Sequence, residues 1–284
     1  MTKQTTNESE NIVQIAGNAT VNNYGLTLNE VKELTTLFMK ENFPVLRAEA
    51  VAAANENINI FLKGFEEKLA QKHLQIDPSK FRDPDIQSSL NDAVLAAAKK
   101  GVKANPDLLA DLLLERLNSN QDDFVSLVAS EAIKIVPTLT RNQVLFLSHV
   151  VFQHNFKITS AVLLDQLDQL EQFASPILAL VRPSLGISEI NKSHLQYSGC
   201  IGINHIIGNS MINILKVNYK FLKDADDQTI TESLERDYPS LNEFKSAYEK
   251  DNISHIQLTS VGIIIGLANI SRIIGPLHYP NWIN

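Results

Sequence analysis

The sequence predicts a mainly α-helical protein: a helical bundle or array, preceded by a short β-hairpin and closed by a part with degenerate winged-helix-like order. Three observations carry this reading. Between Asp83 and Phe152, four consecutive blocks repeat apolar residues at helical spacing. Residues that start helices stand ahead of these blocks, as in Asp83-Pro84, Asn105-Pro106 and Thr140 with Gln143. Finally, 11 Gly and 10 Pro in 284 residues are few for a fold built from many tight turns.

Composition narrows the function classes. The apolar fraction is 44% and the charged fraction 20%, as in ordinary globular proteins, and the length allows one large helical domain or two. A net charge of -7 gives no general attraction to phosphate backbones, so nucleic acid is not an expected partner. The single Cys200 cannot form an internal disulfide, which fits a reducing compartment. The start, MTKQTTNESE, lacks the apolar stretch of a signal peptide, and a cytoplasmic protein is expected. Three regions are distinguished: a polar tail and β motif at 1–25, a helical array at 26–155, and a helical region with two short strands at 156–284.

The N-terminal region differs from the rest of the chain. Two β-prone runs, Ile12 to Ala16 and Ala19 to Asn23, flank Gly17-Asn18, and Gly at the first loop position suits a two-residue II′ turn. The resulting hairpin sets Ile15 opposite Thr20 and Val13 opposite Asn22. A two-stranded hairpin is marginal alone and needs cover, from its own helices or from copies of itself. Uncharged β-branched residues with Gln and Asn also have the composition of stacked cross-β assemblies. Ile12, Val13, Gln14, Ile15, Gly17, Asn18, Val21 and Asn23 are the candidate assembly residues. The stretch resembles short N-terminal β motifs of bacterial defence and signalling proteins, with a pattern like Q-x-x-G-N/D followed by V-x-N. Gln14, Gly17, Asn18, Val21 and Asn23 carry the match. The resemblance implies self-association; packing on the chain's own domain and swapping in a small oligomer remain the alternatives.

Helices follow in order. Thr27 and Glu30 form a capping box ahead of Leu28, Val31, Leu34, Leu37 and Phe38. Pro44 suits the first turn of a long helix through Ala48, Ala52, Ile58, Phe61, Leu62, Phe65 and Leu69. The stretch from His73 to Arg82 reads as a connection. The helix over Asp85 to Lys100 has an alanine-rich side at Ala93, Ala96, Ala97 and Ala98, and Gly101 offers its C-cap. Asn105-Pro106 opens a leucine-faced helix. Phe124 to Val136 forms another, stopped by Pro137, and Thr140 caps a fourth bearing Leu145, Phe146, Val150 and Val151.

Beyond residue 156, Ser160 opens a helix through Leu170 that Pro176 and Pro183 are expected to break. Ser188 caps a helix ending at Gly199, and Cys200 to His205 is β-prone. Helices are expected at Thr229 to Arg236 and at Leu241 to Lys250, the second with a Ser240 and Glu243 capping box. A strand at Ser254 to Leu258 then leads into an apolar helix capped by Thr259, and the tail with Trp282 docks back on the fold or on a partner. Strand, long insertion, strand and helix in that order suggest the winged-helix-like arrangement.

The segments DPDIQSSLNDA at Asp83 to Ala93, LLERL at Leu113 to Leu117, EAIKIVPTLTRNQ at Glu131 to Gln143 and IQLTSVG at Ile256 to Gly262 resemble the Abi-alpha family of phage abortive-infection proteins. That resemblance implies a helical array and a role in bacterial antiphage defence, and it brings no catalytic residues with it. The β motif at the start and the insertion from about Gly208 to Asp251 depart from the family pattern.

The side chains that could carry chemistry read as structural. His149 and His154 are five apart, off the i, i+4 spacing of paired zinc ligands, and read as core or rim histidines. No Walker loop, nucleophile elbow or dinucleotide fingerprint occurs. Cys200 in its apolar run reads as buried and inert, Asp122-Asp123 as a helix N-terminus, and Arg116 with Glu131 as a buried pair. No catalytic residue, cofactor or metal is expected. The last helix holds Gly262 and Gly266 at the spacing used by membrane helix pairs, but Val261 to Ile274 is short for a bilayer span and reads as a core helix. The expectation is an interaction or effector protein of antiphage defence that forms homo-oligomers, with an upstream signalling or phage protein as a further partner. A membrane-disrupting effector using the last helix and an unrecognised nuclease or other enzyme are the alternatives.

Overall fold

A computed structural model describes residues 28–42, 48–71, 78–119, 124–158, 166–204 and 208–283. The described chain is mainly helical, as expected. Its helices are α1 (Leu28–Asn42), α2 (Ala48–Gln71), α3 (Pro84–Lys100), α4 (Pro106–Asn118), α5 (Phe124–Ile135), α6 (Arg141–Asn155), α7 (Gln166–Val181), α8 (Glu189–Tyr197), α9 (Met211–Asn218), α10 (Asp227–Asp237), α11 (Pro239–Lys250), α12 (Ser260–Ile274) and α13 (Pro280–Ile283). Strands β1 (Ile201–Ile203) and β2 (Ile256–Leu258) pair antiparallel, Gly202 opposite Gln257. This pairing follows the expected order of strand, insertion, strand and helix, but does not by itself make a winged helix.

Local chemistry explains where the helices begin. Asp83 accepts from the Asp85 N–H at 2.9 Å, and Pro84 occupies the first turn of α3. Thr140 and Gln143 form the reciprocal capping box of α6, and Thr259 accepts from the Gly262 N–H to cap α12. Asn105 departs from expectation: it precedes α4 in the left-handed region, and its side chain makes no capping bond. The alanine side of α3 lets α2 approach closely enough for the Asn57 amide to donate to the Ala98 carbonyl at 3.2 Å. Gly101, at φ 53°, ends α3 where a Cβ would lie 2.7 Å from Asn57 Oδ1.

Two helices form the middle of the core. Every residue of α6 from Gln143 to Gln153 is buried, rather than one face alone. Against it lies α12, buried over Val261, Gly262 and Ile264 to Ile270, and packed also on α4, α5 and α7. Glycine permits this contact. A Cβ on Gly266 would lie 2.5 Å from Val151 Cγ2 and 2.9 Å from the Leu147 carbonyl oxygen, and one on Gly262 would run into the Cys200 carbonyl. The Asn269 amide donates to Ser148 Oγ at 2.9 Å, joining the same two helices. The G-x-x-x-G spacing therefore serves a core seam, and among the described residues no helix is long and apolar enough to cross a membrane. The tail docks on the fold: Tyr279 is buried, and the Trp282 and Phe156 rings lie 4.7 Å apart between centroids.

Several expectations need correction. In α1, Thr35 and Met39 are buried while Leu34 and Leu37 are exposed, and Ala48 and Ala52 of α2 also face outward because its buried face begins at Ala54. Pro176 does not break α7. Pro176 and Gln172 four residues before it are both exposed, so the carbonyl that loses its donor turns to water while Ala174, Ile177 and Val181 hold the helix to the core. The expected Ser240 and Glu243 box is replaced by a cap from another helix. Glu171 of α7 accepts from the Ser240 and Leu241 N–H groups at 2.8 and 2.9 Å, and Glu243 forks onto Arg182. Buried Arg116 pairs with Asp85 at 2.5 Å and donates to Ser130 Oγ at 3.0 Å, leaving Glu131 exposed one helical step further round. The expected features at Thr27, Pro44, Asp122-Asp123 and Ser160 lie outside the described residues.

Candidate functional site

Ile12, Val13, Gln14, Ile15, Gly17, Asn18, Val21 and Asn23 all lie outside the described residues. Within them, an amide-rich cleft of about 580 Å³ opens between the end of α6, α9, α11 and β2. Ser210 caps α9 by accepting from the Asn213 N–H at 3.1 Å, which sets Asn213, Val217 and Asn218 along one wall. The α6 terminus supplies His154 and Asn155 opposite. Ile256, Gln257 and Leu258 of β2 form the third side. Tyr248 of α11 lies beneath, its hydroxyl donating to the Asn209 carbonyl at 2.9 Å.

Lys, Arg, Asp and Glu are missing from the described lining of this cleft. His154 stays neutral at ordinary pH, since burial lowers its pKa to about 4 against a smaller opposing effect from its bond to the Ile253 backbone. The Tyr248 phenol is pushed up to about 12 by burial, so it too is uncharged. Asn, Gln and Ser around a neutral imidazole offer donors and acceptors without net charge. Such a wall is suited to peptide groups and side-chain amides, not to anions or cations. Of these residues the sequence marks His154, as a core or rim histidine, and Ile256 to Leu258, as a strand; the cleft's asparagines carry no mark there. The helix α9 is not among those expected from sequence, although Ser210 ahead of Met211 is a local cap signal for it, and dispersed asparagines form no motif until the fold gathers them.

The groups that sequence did single out take structural positions. His149 is fully buried between Phe146 and Phe244, and burial, followed by repulsion from His154, lowers its pKa to about 3. Its Nε2 accepts from the Gln153 amide, which also donates to the Phe244 carbonyl at 3.1 Å, so the proton resides on Nδ1, which has no partner. The Cys200 thiol is buried and pushed up to about 12 by desolvation, as the inert reading requires. Among the described residues no group of three or more His, Cys, Asp or Glu is placed to hold a metal.

A second cleft, of about 710 Å³, lies between α2, α4, α12 and the tail. It is ionic in character: Lys68 donates to Asp111 at 2.6 Å beside Glu115 and Arg272, with Tyr279 against them. Arg272 meets Asp107 at 2.8 Å. Its acids and bases largely pair with one another across helices, so the geometry ties α12 and the tail to the array.

A mainly helical array built around a buried, glycine-seamed pair of helices distant in sequence is the class that these features define. One family model matches residues 25–235 and 221–283, and the chain belongs to that family, whose description attaches no activity to it. Neither the curated proteins nor the solved structures contain a match.

Proposed function

We propose that this protein is an interaction or effector protein of bacterial antiphage defence that self-associates through its N-terminal β motif, while the helical body carries the response. The observation that carries the reading is the surface of α1. The helix immediately following the motif turns Leu34 and Leu37, 49% and 55% exposed, to solvent on one strip. Exposed leucines beside an uncharged β-prone segment supply apolar area for association with a second copy. The family match begins at residue 25, which supports treating the preceding motif as an addition to a common helical body. The resemblance of Asp83 to Ala93 and Ile256 to Gly262 to the Abi-alpha family supplies the defence setting. In this reading the protein acts in the bacterial cytoplasm, and an upstream signalling or phage protein supplies the trigger.

Light scattering on the full chain and on its Ile15→Asp and Gly17→Pro variants tests the proposal. Loss of the oligomer with an unchanged helical circular dichroism signal is the expected result. An oligomer that persists in both variants, or a parent chain that is monomeric at all concentrations, would overturn it.

A further inference from the structure

We infer that the open edge of β2, at the amide-lined cleft, is the docking site for the N-terminal β segment of a second copy of this chain, which adds to it as a third strand. The inference rests on the self-association proposed above and specifies where the motif binds.

The strand pairing sets the direction of each main-chain group. The Asn204 N–H donates to the His255 carbonyl at 2.8 Å, and the Thr259 N–H to the Cys200 carbonyl at 3.1 Å. In an antiparallel ladder hydrogen-bonded pairs alternate, so Gln257 faces Gly202 while the main-chain groups of Ile256 and Leu258 point away from β1. Among the described residues, the Leu258 N–H and the Ile256 carbonyl have no hydrogen-bond partner. The cleft lies on that outward side, since all three residues of β2 line it and none of β1 does. An unpaired strand edge is a template for another strand, and main-chain bonds at such an edge with side-chain contacts around it are how extended segments are captured.

The chemistry of the cleft selects the occupant. Its described walls carry no charged residue and present Asn155, Asn213, Asn218 and Gln257. From Asn11 to Gly25 the chain likewise has no charged residue, is rich in β-branched and amide side chains, and has no Pro. Asn and Gln on the incoming strand can pair with the amides of the walls, and burying an uncharged segment against an uncharged cleft avoids desolvating an ion.

Cross-linking between full-length chains provides the test, because the native Cys200 is buried and leaves a low thiol background. One preparation carries Gln14→Cys, a second carries Asn213→Cys, and a third carries the exposed control Glu235→Cys on α10. The first is mixed with either of the others and treated with a short bis-maleimide. The expected product is a two-chain species joining position 14 to position 213, lost when Ile15→Asp is added to the first chain and missing from the Glu235→Cys mixture. An oligomeric mixture that joins only position 14 to position 14 would overturn the cleft as the acceptor and leave motif-driven association standing. A doubly substituted chain that links only within itself would overturn docking between copies. Monomers throughout would overturn both proposals.

Discussion

His149 and His154 show how the core treats a titratable side chain. Both are held neutral mainly by burial, with pKa values lowered to about 3 and about 4. As pH falls below about 6.5 the unfolded chain takes up protons that the folded chain excludes, so their contribution to stability is fully present above that value and declines toward pH 3 to 4. Each excluded proton costs about 1.4 kcal/mol per pH unit. Urea unfolding at pH 7 and at pH 5.2, above the range where most carboxylates titrate, should show a lower midpoint in acid. Replacement of both histidines by Gln should flatten that difference, and an equal pH response in the variant would contradict the assignment. Sequence spacing identifies both as core or rim residues. What it could not supply was the Gln153 bridge, which depends on the Phe244 carbonyl delivered by α11.

At the scale of elements, the seam between α6 and α12 depends on an atom that is not there. Because a Cβ on Gly266 would crowd Leu147 and Val151, Gly266→Val should destabilise the fold by about 1–3 kcal/mol or more, the range for overpacking a close-packed core. Chemical denaturation would show it, whereas a neutral result would mean that α12 can move off α6. A smaller loss, about 1 kcal/mol as for a missing helix cap, is expected for Glu171→Ala, since α11 then loses the acceptor for two first-turn N–H groups. Its local signature would be faster amide exchange at Ser240 and Leu241. These two elements also mark what was legible in advance. Thr140, Thr259, Asp83 and Gly101 announce their caps locally, so the helices they bound were readable. The Glu171 cap, the solvent-side position of Pro176 and the Asp85 partner of Arg116 arise from residues distant in the chain or from which face turns outward. Periodicity alone carries neither.

For the whole molecule, the array is the frame and the N-terminal motif is the element proposed to act. Gly262 and Gly266 look like a membrane signature when read as spacing, yet in three dimensions they admit the Cys200 carbonyl and α6 into contact with α12. The amide cleft was invisible in sequence for the opposite reason: α6, α9, α11 and β2 each contribute residues that mean little singly. The most direct test of the central claim is the mass in solution, by light scattering, of the full chain beside a chain beginning at Leu26. An oligomer for the full chain and a folded monomer for the shortened one is the expected result, and it would establish the first residues as an assembly device. Monomers in both cases would contradict it and return the search for activity to the clefts of the helical body.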